Sequence, residues 1–205
     1  MVGEGVLLKC LESPEVDGVL MINRRPYLLQ HAKLRELIVA DFMQLQQHSD
    51  QLKGYDACFY CAGISSVGMN EEKYTYITYD TTMSFAGTLV AIHPAMVFNF
   101  VTGSHTDSSE KGKIMWARVK GRTENALMKL PFKDVYNFRP GFMKPYKGQK
   151  NVKSFFKPFI VIIPLLFPKK SLTLQQVGQA MINAVTKGYP KKILEIEDIK
   201  NLSAL

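Results

Sequence analysis

Short, continuously apolar runs alternate along this chain with stretches in which apolar residues recur every three or four positions. Val6, Leu7, Cys10 and Leu11 follow helical spacing and Ser13-Pro14 stops it, which predicts a helix over residues 3–12. Gly18 to Ile22, Leu37 to Ala40 and Ala57 to Cys61 are short, continuously apolar runs, and Met96 to Val101 and Val135 to Phe138 read as two further strands. Strands of a parallel sheet covered on both faces show this pattern. Between them, helices are expected over about 71–91 and 114–129, with a polar loop from Thr102 to Lys113. Strands and helices alternating in this order give an α/β fold, a doubly wound parallel sheet with helices on both faces. Val135 to Phe138 is the last clear parallel strand in this reading. Beyond Lys144 the pattern changes to a Lys/Phe/Pro-rich stretch, a helix over about 173–187 stopped by Gly188, and a terminal piece near 193–202. Residues 144–205 are read as a small substrate-side lobe of a single domain spanning 1–205.

Composition narrows the function classes. The 205 residues are 46% hydrophobic and lack internal repeats and low-complexity tracts, so the chain is expected to be globular. The net charge of +8 is a C-terminal property, because no Asp or Glu occurs from Val135 to Leu194. No nucleic-acid-binding motif accompanies the charge, which argues against a nucleic-acid partner. The longest apolar run, Phe155 to Pro168, is too short to span a bilayer and is interrupted by Pro158 and Pro164. With lysines on its flanks, the 155–170 region reads either as a weak membrane-surface contact or as a cover over the substrate cleft. The N-terminal residues carry no secretory pattern, so the expected location is the cytoplasm. Three cysteines suit a reducing compartment. Cys58 and Cys61 form a C-x-x-C on a strand, where residues three apart point to opposite faces, so neither a redox pair nor a metal site is expected.

Several segments, in order, resemble the short-chain dehydrogenase/reductase superfamily, specifically its NAD-dependent epimerase/dehydratase-like and atypical NAD(P)H-binding members. Met1-Val2-Gly3 followed by a helix is similar to the end of the family's G-x-x-G-x-x-G turn. In such a turn, glycine lets backbone approach a pyrophosphate whose charge rests on the helix N-terminus. About twenty residues on, Arg24-Arg25 stands where NAD-specific folds carry an acid, so the resemblance implies NADP in preference to NAD. A solvated basic turn is the other reading of that pair. Asp41-Phe42 matches the family's adenine contact, although Asp41 could serve only to cap a turn. Cys61-Ala62-Gly63 matches the small-residue segment against the cofactor, and Arg139-Pro140-Gly141 matches the R-P-G segment near the nicotinamide. The Rossmann-type fold so implied has a central strand ahead of the glycine turn, which is expected upstream of Met1. Without it, two neighbouring strands must leave a gap near 10 Å or close together.

The catalytic centre departs from the family. Its members pair Ser with Y-x-x-x-K, in which Lys lowers the Tyr pKa and holds the nicotinamide ribose while Tyr exchanges a proton. Here the helix reads Trp116-Ala117-Arg118-Val119-Lys120, so Lys120 is present and Trp116 occupies the Tyr position. An indole N–H donates a hydrogen bond but is no acid or base near neutral pH. Ser104 is the match for the family Ser, with Thr102 its rival, and Tyr146 is a proton source that the sequence does not place. The resemblance implies an NADP-binding, reductase- or epimerase-like protein acting on a small organic substrate. The competing expectation is a non-catalytic nucleotide-binding sensor or interaction module.

Overall fold

The computed structural model describes residues 1–150 and 171–205, and its main body is a parallel sheet between two layers of helix. Four strands, β3 (Ala57–Tyr60), β4 (Val97–Val101), β5 (Asp134–Phe138) and β8 (Ile193–Leu194), hydrogen-bond in that order and all run parallel. Side-chain alternation divides the core. Val97, Tyr136 and Phe138 enter one apolar cluster with Val6, Cys10, Val177 and Met181. Phe98, Phe100 and Val135 enter the other with Leu45, Leu52, Phe85 and Leu89. The runs at 96–101 and 135–138 are apolar at nearly every position because both faces are covered, with Asn99 and Asn137 as buried exceptions.

The first cluster is roofed by α1 (Val2–Glu12), α5 (Leu174–Thr186) and α6 (Ile196–Ser203). Helix α5 starts at a capping box in which Gln176 N donates to Thr173 Oγ1 at 3.1 Å and Thr173 N donates to Gln176 Oε1 at 2.9 Å. It crosses α1 closely: a Cβ on Gly5 would lie 2.7 Å from the Leu174 side chain. The second face carries 3₁₀ turns over Phe42–Leu52 and α3 (Thr81–Ile92). The long helix expected over 71–91 is α2 (Glu71–Thr75), a π-turn at Tyr76–Asp80 and then α3. Helix α4 (Met115–Leu127) follows the polar loop.

The expectation that Val135 to Phe138 ends the parallel sheet is corrected by β8, whose two residues pair with Asn137 and Phe138. A further parallel pair, β6 (Phe142–Lys144) with β7 (Ser171–Thr173), stands apart from the main sheet.

The remaining strands, β1 (Val19–Asn23) and β2 (Leu34–Ile38), pair with each other and with no other described strand. They have not closed onto β3. A cavity of about 1580 Å³ lies between, lined by every residue of β1 and of β3. Strand direction across it follows from α1. Gly3, in the first turn, approaches Cys61 just past the end of β3, with an ideal Cβ only 3.3 Å from the Cys61 Cβ. Tyr27, just past β1, donates its hydroxyl to Glu4 in the same turn. The C-terminal ends of β1 and β3 therefore meet at one helix N-terminus, and the two strands run the same way.

Candidate functional site

In open parallel sheets the crevice outside the carboxyl ends of the strands, beside a helix N-terminus, is the natural ligand site. Gly3, Arg24, Arg25, Asp41, Phe42, Ala62 and Gly63 all line the cavity described above. Sequence separations of up to 60 positions are thus brought to one place by the fold. Arg24 and Arg25 are exposed and form none of the ion pairs found among the described residues. Asp41 is also exposed, and its Oδ1 accepts from Met43 N at 3.0 Å, so it caps the 3₁₀ turns from the cavity's edge.

Glu4 is the residue that sequence reasoning missed here. It is 8% exposed in the first turn of α1, where it accepts from the Tyr27 hydroxyl and, at 2.6 Å, from Lys150 N. A carboxylate in the first turn is favoured by the helix dipole. It also places negative charge where a pyrophosphate would rest. Its only sequence signal was an acid in the first turn of a predicted helix.

The other candidates gather at the ends of β4 and β5, away from the cavity lining. Lys120, on α4, donates from Nζ to the Thr102 carbonyl at 2.9 Å. Burial pulls its ammonium below the usual lysine range, and the Glu124 charge opposes that pull. Ser104 N donates to the Pro140 carbonyl at 3.0 Å, which joins the loop after β4 to the segment after β5. Ser104 and Gly141 are half-buried, while Pro140 is buried. The Thr102 hydroxyl is turned inward, 2.6 Å from Glu124 Oε1 and 3.1 Å from the Phe138 carbonyl. Trp116 lies one helical turn before Lys120 on α4 and is half-buried.

Arg139 and Tyr146 have other work. The Arg139 guanidinium bonds both oxygens of Glu124, a side chain with 0% exposure, and also reaches Ser108 Oγ at 2.6 Å and Glu195 at 3.2 Å. Of the R-P-G segment, the arginine ties the sheet to α4. Tyr146 donates to Glu12, the last residue of α1 and the far end from Gly3. Burial, together with that carboxylate, pushes its hydroxyl up to about 12, which makes it a poor proton donor near neutral pH.

The C-x-x-C pair straddles the sheet: Cys58 packs against one cluster and Cys61 against the other. Burial pushes the Cys58 thiol up, and the Cys61 thiol up to about 12. Among the described residues no three His, Cys, Asp or Glu side chains gather as metal ligands, and no helix is long and apolar enough to cross a membrane. The 155–170 region read as a membrane contact or cleft cover lies outside the described residues.

No protein-family model matches the chain, and no curated protein matches it by sequence. Solved structures match it by fold. The Bordetella bronchiseptica enzyme WbmF in complex with NAD+ superposes with a TM-score of 0.67 at 13% identity, over 99% of this chain and 73% of that one. A short-chain dehydrogenase/reductase from Saccharomyces cerevisiae gives 0.68 at 14% identity, over 99% of this chain and 94% of that one. DesIV, a dTDP-glucose 4,6-dehydratase from Streptomyces venezuelae with NAD and TYD bound, gives 0.70 at 14% identity, over 95% and 72%. The chain has the Rossmann-type fold of the short-chain dehydrogenase/reductases and NAD-dependent epimerase/dehydratases.

Proposed function

We propose that the chain is an NAD(P)-binding protein of reductase or epimerase type, that it prefers NADP, and that it acts on a small organic substrate. The observation that carries this reading is the pair Arg24 and Arg25, exposed and without an ion pair among the described residues, at the mouth of the cavity that Gly3, Asp41, Phe42, Ala62 and Gly63 also line. Guanidinium groups at the end of β1 suit a 2′-phosphate. The rest of this edge supports the reading apart from the Glu4 carboxylate, whose charge at the start of α1 opposes a pyrophosphate. Gly3 exposes backbone at the start of α1, Asp41 and Phe42 border the adenine side, and Ala62 and Gly63 keep the end of β3 free of bulk. Lys120, with Ser104 and the Pro140-Gly141 backbone, stands at the end where a nicotinamide ribose and substrate would be oriented. A bound nicotinamide dinucleotide would supply hydride transfer.

Trp116 favours a second reading, a nucleotide-binding sensor or interaction module without turnover. Next to Lys120 it offers an indole N–H in place of an ionisable hydroxyl, and Tyr146 is engaged elsewhere. Calorimetric titration with NADPH, followed by NADPH oxidation assays over a panel of carbonyl compounds, separates the two. Binding with turnover that falls in Lys120→Ala supports the enzyme, whereas binding without turnover on any compound supports the sensor. Absence of NADPH and NADH binding contradicts both.

A further inference from the structure

We infer that Glu36, on β2, determines cofactor selectivity by holding the Arg24-Arg25 turn in place, a role that rests on the cofactor reading above. The turn follows β1 and is tied at both ends to one oxygen. Asn23 Nδ2 donates to Glu36 Oε1 at 3.0 Å, and Tyr27 N donates to the same atom at 2.9 Å. Strand register makes this possible. Glu36 stands opposite Met21, and Asn23 is two residues further along the same face of β1, within reach of a glutamate side chain. Two further restraints act on the turn. The Asn23 carbonyl accepts from Val39 N at 2.8 Å, and the Tyr27 hydroxyl donates to Glu4 on α1. Between the anchors, the ring of Pro26 fixes its own φ and disfavours helical conformations at Arg25.

By charge alone Glu36 is the wrong residue for this place. A carboxylate at the turn competes with an incoming phosphate for the two guanidiniums and repels that phosphate directly. Yet Glu36, Arg24 and Arg25 take part in none of the ion pairs found among the described residues, and all three are exposed. Glu36 Oε1 is spent instead on the Asn23 side chain and the Tyr27 backbone. The arginines are left at the cavity mouth, on a turn already held in one shape. Ordering a loop and its long side chains around a ligand costs free energy, and a turn fixed beforehand lowers that cost. The gain falls on the ligand whose phosphate the arginines meet. NADH has no 2′-phosphate and draws nothing from the turn. Glu36 is thus a positioning residue that acts through Arg24 and Arg25.

The test compares Glu36→Ala and Glu36→Gln with the unaltered full chain, by calorimetric titration with NADPH and NADH and by amide hydrogen exchange of the free proteins. Glutamine keeps an oxygen acceptor and removes the charge, whereas alanine removes both. In Glu36→Ala, NADPH affinity should fall by about three- to tenfold while NADH affinity stays within about twofold. The Tyr27 amide of that variant should exchange about tenfold faster or more. Glu36→Gln should keep the slow exchange and bind NADPH at least as tightly as the unaltered chain. Equal losses for both cofactors would mark a general structural role, and tighter NADPH binding in both variants a purely electrostatic one. Either outcome overturns the proposal. So does an unchanged NADPH affinity or an unchanged Tyr27 exchange rate in Glu36→Ala, or a loss in Glu36→Gln as large as in Glu36→Ala. Equal binding of the two cofactors by the unaltered chain, or no binding of either, instead overturns the cofactor reading, and this role with it.

Discussion

Arg139 and Glu124 form a two-pronged ion pair in which the carboxylate is completely enclosed and the guanidinium nearly so. The pair joins β5 to α4, and its neighbour Thr102 joins both to β4. Removing one partner leaves a buried charge without compensation, which typically costs about 3–5 kcal/mol. Arg139→Met should therefore lower the unfolding free energy by an amount in that range, measured by urea denaturation. A loss under about 1 kcal/mol would show the pair to be dispensable.

Gly121 has a similar role beside Lys120. A Cβ there would come within 1.8 Å of the Asp107 carbonyl oxygen, so only glycine lets the loop after β4 lie on α4. Gly121→Ala should destabilise the protein by about 1–3 kcal/mol or more and shift the loop carrying Ser104. Chemical-shift changes centred on residues 102–112 would check it, and an unchanged loop would contradict it.

Much of this frame was legible in the sequence because the signals were local and repeated. The apolar runs at 57–61, 96–101 and 135–138 each became strands within a residue or so of their expected ends. Strand β8 was hidden because two residues carry no periodicity, and its pairing with β5 is set by tertiary contact. The run at 37–40 misled in its boundary: β2 starts at Leu34, since Arg35 and Glu36 lie on an exposed part of the β1–β2 pair and break the apolar pattern. The basic pair at 24–25 and the segments at 41–42 and 61–63, singled out in the sequence by their order, all line one cavity. Glu4 and Gly121 were not readable, because the burial of one and the close contact of the other depend on segments more than ten residues distant.

The buried thiols give a pH dependence. Burial raises Cys10 and Cys61 to about 12 from an ordinary value of 9.0. The native state therefore keeps protons that the unfolded chain loses above pH 9, and stability is full below pH 9 and falls as pH rises from there toward 12. The slope is about 1.4 kcal/mol per pH unit for each thiol in that window. Denaturation midpoints between pH 7 and 10.5 should show the fall, and Cys10→Ala should flatten it. An identical slope in that variant would contradict the assignment.

Trp116 sets the expectation for chemistry. Under the enzyme reading, Trp116→Tyr would place an ionisable hydroxyl one turn from Lys120, and turnover of a carbonyl substrate that fits should rise by about 10²–10⁴-fold. Steady-state NADPH oxidation with the two proteins measures it. A gain that survives in the Trp116→Tyr, Lys120→Met double variant would show that Lys120 takes no part.

Cofactor preference is the most direct test of the account, since Arg24 and Arg25 carry it. Charge-assisted hydrogen bonds to phosphate contribute about 1.5–3 kcal/mol each. Titration of the sole tryptophan's emission, or calorimetry, with NADPH and NADH should give tighter binding of NADPH by at least about tenfold. In Arg24→Ala, Arg25→Ala the NADPH affinity should fall to that of NADH, with NADH binding little changed. Equal affinity for the two cofactors before substitution, or a preference that survives it, would contradict the account.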